Sequence, residues 1–250
     1  TILLGVALGT HLNIVTINIF KEKILKPLFK VSDIKTDKKL EKKIDIFWDE
    51  QLKENPNIDS YGGVDWKKYI YWGEELKKGG YILLFRHGER KKWGEALGGF
   101  DAYELYNKLD ARKKDWYRAT CLTKRGIETS KNTGRAFQHA GIKIQKVFSS
   151  PSCRARETAF YSFGRIDEIH SALLHKTAVH PFDRHNFGND LRKTVINFEL
   201  DPDKNLILSS HNGVIDFKGF IDEFNVSVEL EESGFYVIEK IENKLILRHK

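Results

Sequence analysis

The sequence predicts an α/β fold: a three-layer α/β/α sandwich around a mostly parallel sheet, preceded by an N-terminal apolar segment. Three observations predict it. The run Tyr81-Ile82-Leu83-Leu84-Phe85 is apolar throughout and bounded by Gly79-Gly80 and Gly88, the pattern of a buried strand. Val147-Phe148-Ser149-Ser150-Pro151 is a short strand that runs into a Ser/Pro turn and then a helix start. Asn205-Leu206-Ile207-Leu208-Ser209 repeats the first pattern, closing on His211 and Gly213. Apolar runs that alternate with helix-forming stretches build parallel strands covered on both faces.

Taken in order, residues 2–20 carry no charged side chain, and that length matches a bilayer core, although His11, Asn13 and Asn18 dilute the apolar character. Segment 1–20 is therefore read as a membrane anchor or signal segment. Residues 21–64 form a basic linker or helical extension. Nine lysines fall between 21 and 43, offset by Glu22, Asp33, Asp37 and Glu41. Such a run suits a solvated stretch or contact with an anionic lipid surface. The remainder, 65–250, reads as one catalytic domain. A helix is expected over 65–78, with Trp66, Ile70, Trp72 and Leu76 inward and Gly79-Gly80 ending it. The longest helix is expected over 123–140, closed by Gly141, with shorter ones at 154–163, 189–198 and 213–224. Further strands are expected at 147–149, 177–180, 206–209, 235–239 and 245–248, the last two as a hairpin across Glu242-Asn243. Residues 93–117, polar and aromatic, read as an insertion over the pocket that shapes substrate choice.

Composition narrows the function classes. With 250 residues, 40% of them hydrophobic, the chain can bury a sizeable core. A formal charge of +7 favours anionic partners. No nucleic-acid-binding module is visible, so the charge is not read as a nucleic-acid surface. Cys121 and Cys153 both lie near predicted site loops. They form a disulfide if the domain is exported; two free thiols is the preferred reading, because two cysteines do not establish a compartment. His139, His170, His175, His180 and His185 lack metal-ligand spacing and read as surface or hydrogen-bonded structural histidines, with His185 alone placed to reach the pocket.

The chemistry sits at the strand ends. Arg86-His87-Gly88 follows the first strand, where open α/β sheets place their ligands. Arg86 offers a planar, permanently charged fork for a phosphate, and His87 a nitrogen nucleophile. Gly88 lets the backbone turn and an anion approach. Ser149-Ser150-Pro151 opens a helix whose free amides favour an anion, with Arg154 in its first turn. His211 ends a third strand. If these strands are neighbours in one parallel sheet, Arg86, His87, Arg154 and His211 converge.

This ordered set resembles the histidine phosphatase superfamily, whose members include phosphoglycerate mutase and the acid phosphatases. The resemblance runs from about Trp72 to the C-terminus and includes Thr158-Ala159 and Cys121-Leu122-Thr123-Lys124-Arg125-Gly126. It implies His87 as the phosphate-accepting nucleophile, His211 as the second pocket histidine, and Arg86 and Arg154 as phosphate clamps. Gly88, Glu89, Ser150 and Asn212 are expected to line the substrate. Where the acid-phosphatase branch carries His-Asp, this chain has His211-Asn212, similar to the small bacterial phosphohistidine and lipopolysaccharide-heptose phosphatases. The departure removes a proton donor, because an amide hydrogen-bonds but does not protonate a leaving group. Asp183, in His180-Pro181-Phe182-Asp183, is the first candidate for that role and Asp190 the second.

The expected activity is hydrolysis of a phosphomonoester or phosphohistidine through a phosphohistidine on His87, with protonated His211 helping to hold the phosphoryl oxygens. No metal or other cofactor is expected, since the arginines supply the charge that Mg²⁺ supplies elsewhere. The partner is a phosphorylated small molecule, sugar or phosphoprotein. The alternatives are a catalytically silent, membrane-tethered module that binds a phospho-ligand, and a phosphomutase. A membrane-associated or exported, periplasmic setting is expected alongside a cytoplasmic one, because the lysines after segment 1–20 and the heptose-phosphatase resemblance point to opposite sides.

Overall fold

The computed structural model describes residues 38–54, 66–91, 120–175, 184–211, 220–222 and 230–249. Helix α1 (Lys38–Glu54) carries Leu40, Ile44, Phe47 and Trp48 at the spacing of one helical face. Ile44 and Trp48 are buried, while Lys38, Lys39, Lys42 and Lys43 stay in water. That apolar face meets α2 (Trp66–Lys78), where Phe47 lies edge-on to Tyr71 at 5.6 Å. The later part of segment 21–64 thus adds a core helix with a basic outer face. Within α2 the buried side chains are Tyr71, Trp72 and Leu76, whereas Ile70 is only half-buried. Gly79 then turns the chain at φ +97, where a Cβ would lie 2.2 Å from the Asp203 carbonyl carbon, so only glycine fits.

The remaining elements are β1 (Tyr81–Arg86), α3 (Lys124–His139), β2 (Ile144–Ser149), α4 (Cys153–Phe163), β3 (Glu168–Ile169), a 3₁₀ turn (Ser171–Leu173), α5 (Arg184–Asn197), β4 (Asn205–Ser210), β5 (Phe235–Ile241) and β6 (Lys244–His249). They form a six-stranded sheet in the order β3-β2-β4-β1-β5-β6. The β3–β2, β2–β4 and β4–β1 pairs are parallel; β5 pairs antiparallel to β1, and β6 to β5. The expected hairpin is present, with Glu242 at φ 53 in its turn.

Alternation along the strands divides the core into two layers. Ile82, Leu84, Leu206 and Leu208 face a cluster that includes Leu191 and Val195 of α5. Leu83, Phe85, Val147 and Ile207 face the other way, toward Tyr71, Trp72 and Leu76 of α2, Phe137 of α3 and Ala159 of α4. Each fully buried Leu or Phe contributes roughly 1.5–3 kcal/mol. The three-layer sandwich is therefore as expected. Helix α5 starts earlier than the 189 expected. Strand β3, two exposed residues on the sheet edge, has no apolar signal by which a sequence could reveal it. The expected elements at 177–180 and 93–117, most of the helix at 213–224, and segment 1–20 lie outside the described residues. Among the described residues, no helix is long and apolar enough to cross a membrane.

Candidate active site

The sheet order decides the site. Strands β2, β4 and β1 are adjacent, and their carboxyl ends are level: Arg86 lies beside Ser210, and Ser149 beside Ser209. His87 and His211 each follow the last residue of their strand, and their backbones are tied by a His87 amide bond to the Ser210 carbonyl at 3.0 Å. The two rings sit 5.3 Å apart, inclined at 67°.

His87 is almost wholly buried. Its Nδ1 lies 2.8 Å from the Gly88 carbonyl oxygen. A carbonyl only accepts, so Nδ1 carries the hydrogen and Nε2 keeps its lone pair. Burial, followed by the Arg154 guanidinium, holds the His87 pKa well below the ordinary histidine range; Arg86 and Arg90 add to this, and the Gly88 bond opposes it. On balance the neutral ring is favoured. The amide of Gly88 donates to Thr158 Oγ1 at 2.9 Å, and that hydroxyl donates to the Arg154 carbonyl at 2.8 Å.

His211 is also buried. Its Nε2 lies 3.0 Å from Ser150 Oγ and 3.1 Å from Ser152 Oγ. Ser152 is the N-cap of α4 by position, yet its side chain makes no capping bond, because the hydroxyl serves the buried imidazole. Burial, then Arg154, His87 and His175, lowers the His211 pKa well below its ordinary value. Burial and Arg154 thus work against the protonated form expected for His211.

Arg154, the second residue of α4, is only 2% exposed. It is the charge that acts most on both histidines. Arg86 is arranged differently: its Nη1 donates to the Leu230 carbonyl at 2.5 Å, and its Nη2 lies 3.8 Å from Glu232. Glu89 is engaged at the start of α3, accepting from Thr123 Oγ1 at 2.7 Å with Arg125 at 3.5 Å. Gly126 makes that seat achievable, since a Cβ there would lie 2.1 Å from the Glu89 carbonyl oxygen.

The expectation of two free thiols is overturned. Cys121 and Cys153 form a disulfide with a Cα–Cα distance of 4.9 Å. A bridge between Arg90 and Leu122 and a 2.7 Å bond from the Leu122 amide to Glu157 lay the 121–122 segment on the first turns of α4, which brings the sulfurs together. Among the described residues, the cluster of metal-type ligands is Cys121, Cys153 and Glu157, and its sulfurs are bonded to each other.

The histidine reading needs a second correction. His170 is structural as expected: its Nδ1 accepts from the Ala172 amide at 3.2 Å and its Nε2 lies 3.0 Å from Thr194 Oγ1. His175 is not remote from the site, for its ring lies 5.7 Å from that of His211 at 83°. The connection that places it there, a single 3₁₀ turn after β3, leaves little periodic signal in the sequence. Asp190 is exposed on α5, and its charge is felt at His170. Asp183, Asn212 and the side chain of His185 lie outside the described residues.

The motifs that carry the family resemblance thus meet at one edge of one sheet. No protein-family model matches the chain, and no curated protein matches it. Several solved structures are similar. The protein histidine phosphatase SixA complexed with tungstate is 16% identical, over 67% of this chain and 93% of that one, with a TM-score of 0.44. The alpha-ribazole phosphatase from Shigella flexneri is 15% identical over 68% and 95%, at 0.46. The phosphoserine phosphatase from Entamoeba histolytica in complex with 3-phosphoglyceric acid is 15% identical over 67% and 94%, at 0.42. The functional reading rests on the pocket's own geometry.

Proposed function

We propose that the chain is a metal-independent phosphatase that hydrolyses a phosphomonoester or phosphohistidine through a phosphohistidine intermediate on His87. The observation that carries this reading is His87 itself: a neutral ring, with Nδ1 committed to the Gly88 carbonyl and Nε2 left as a lone-pair donor beside the buried Arg154. Nε2 attacks phosphorus, the N–P bond forms, and the bond to the leaving-group oxygen breaks as that oxygen takes a proton. Water then attacks the phosphohistidine, the N–P bond breaks, and inorganic phosphate leaves.

Arg154, with Arg86 at the pocket edge, is proposed to hold the phosphoryl oxygens by charge-assisted bonds, each worth roughly 1.5–3 kcal/mol. A bound dianion also favours the protonated form of His211, so that cation forms with the substrate rather than before it. Gly88, Glu89, Ser150 and Asn212 remain the proposed lining, with Ser150 acting through His211. The Cys121–Cys153 disulfide supports an exported setting, since such bonds persist in oxidising compartments. Segment 1–20 is the proposed anchor or signal, and 65–250, with α1 packed on it, the catalytic unit.

His87→Ala tests the reading. Turnover should fall by several orders of magnitude while the circular dichroism spectrum is unchanged, and acid-quenched wild-type protein should carry a labile phosphate on His87. Wild-type turnover in the alanine variant would sink the proposal. Phosphate or vanadate binding without any turnover by the native chain would favour the silent binding module.

A further inference from the structure

The reaction needs a proton for the leaving group, and the residue after His211 is Asn212, which has none to give. We propose that His175 is the third histidine of the pocket and the proton donor to the departing oxygen; this rests on the phosphatase reading above. Three imidazoles meet through His211: His87 to His211 at 5.3 Å and His211 to His175 at 5.7 Å, each pair edge to face. The first two are closed off from solvent, whereas His175 is half-buried. Of the three rings it is the one that solvent reaches.

Its position is built rather than incidental. Leu173 and Leu174, immediately before it, are wholly buried. The Leu173 carbonyl accepts from Ser210 Oγ at 2.5 Å, and Ser210 is the residue before His211. The turn itself is held by His170, which takes the Ala172 amide. So the strand that ends in His211 also pins the segment that delivers His175.

Burial and Arg154 disfavour the charged forms of His87 and His211. Imidazole in general takes and releases a proton near neutral pH, so a less buried histidine beside them suits the acid role. In the first step the His175 imidazolium gives its N–H proton to the leaving oxygen as the P–O bond breaks, and becomes neutral. In the second, water attacks the phosphohistidine, the N–P bond breaks, the water's proton passes to solvent, and the neutral His175 ring takes up a proton from solvent, which restores the imidazolium. Protons and charges balance over the cycle.

The test uses the full chain, with p-nitrophenyl phosphate, whose leaving group needs no acid, and glycerol 2-phosphate, whose leaving group does. Turnover of p-nitrophenyl phosphate by the wild type checks the phosphatase reading by itself. His175→Gln should lose roughly 10²-fold or more on glycerol 2-phosphate relative to its loss on p-nitrophenyl phosphate. Added imidazole should restore part of the loss in His175→Ala. Vanadate inhibition of each variant shows that the pocket is folded, and His175→Asn replaces the glutamine variant if that one fails to fold. Equal losses on the two substrates would overturn the proposal for His175 while leaving the phosphatase reading intact. So would a leaving-group-dependent loss in Asp183→Asn with none in His175→Gln. A wild type that hydrolyses neither substrate would overturn both.

Discussion

The Gly88 amide donates to Thr158 Oγ1 at 2.9 Å, a bond that joins the loop of His87, the proposed nucleophile, to the helix bearing Arg154. Because Thr158 in turn donates to the Arg154 carbonyl, one hydroxyl registers His87 against its principal neighbouring charge. Thr158→Val keeps the shape but leaves a buried amide unpaired, at a cost of about 1–3 kcal/mol. Turnover should fall by roughly ten- to a hundred-fold, since small displacements of a nucleophile are expensive in rate. Thermal unfolding and kcat on an aryl phosphate check this, and Thr158→Ser should retain both. Unchanged values in the valine variant would show that the bond does not hold the loop.

The disulfide should stabilise the same region. It closes a ring with a sequence separation of 32, for which chain entropy predicts roughly 3–4 kcal/mol. Replacing both Cys121 and Cys153 by Ser should lower the denaturant midpoint accordingly. It should also reduce turnover, because Cys153 is the direct neighbour of both Ser152 and Arg154. Equilibrium unfolding with and without a thiol reductant is the check; identical midpoints would mean that the bond constrains nothing.

Acid sensitivity should trace in part to His249. It is buried, stacked on Trp72 at 5.3 Å and 12°, and its Nε2 has no hydrogen-bond partner among the described residues. Burial lowers its pKa to about 3. The folded value is therefore below the unfolded one near 6.5, so the unfolded chain binds the proton first. The folded state carries no penalty from this group above about pH 6.5, and loses about 1.4 kcal/mol for each pH unit below that until roughly pH 3. His249→Phe keeps the stack and removes the titration. Its melting temperature should fall less between pH 6.5 and 5 than that of the wild type; parallel curves would assign the acid sensitivity elsewhere.

Local chemistry was legible where a residue's role depends on its immediate neighbours. The apolar runs ending in Arg86-His87-Gly88 and in Ser210-His211 showed both the strands and the histidines, because a glycine or a polar group at a strand end has few structural uses. Thr123 as the cap of α3 was legible for the same reason, and its hydroxyl accepts from Gly126 at 3.0 Å. What depended on distant chain segments was not. His175 looks like any polar residue in an irregular stretch, and the Ser210–Leu173 bond and the burial of two leucines help bring it beside His211. Cys121 and Cys153 carry no local sign of being partners.

The sequence by itself therefore determined the α/β class, the strand-end placement of His87 and His211, and the positive charge available from Arg86 and Arg154. These follow from periodicity and from short-range turn and cap chemistry, which act within a few residues. The tertiary structure decided which strands are neighbours, and hence that β2, β4 and β1 present one site. It also decided that the cysteines pair, that Ser152 serves His211 rather than its own helix, and that burial and Arg154 lower the pKa of both central imidazoles. The physical reason is common to all four: sheet order, contact between remote loops and burial in a low-dielectric core are properties of the packed chain, and no window of sequence contains them.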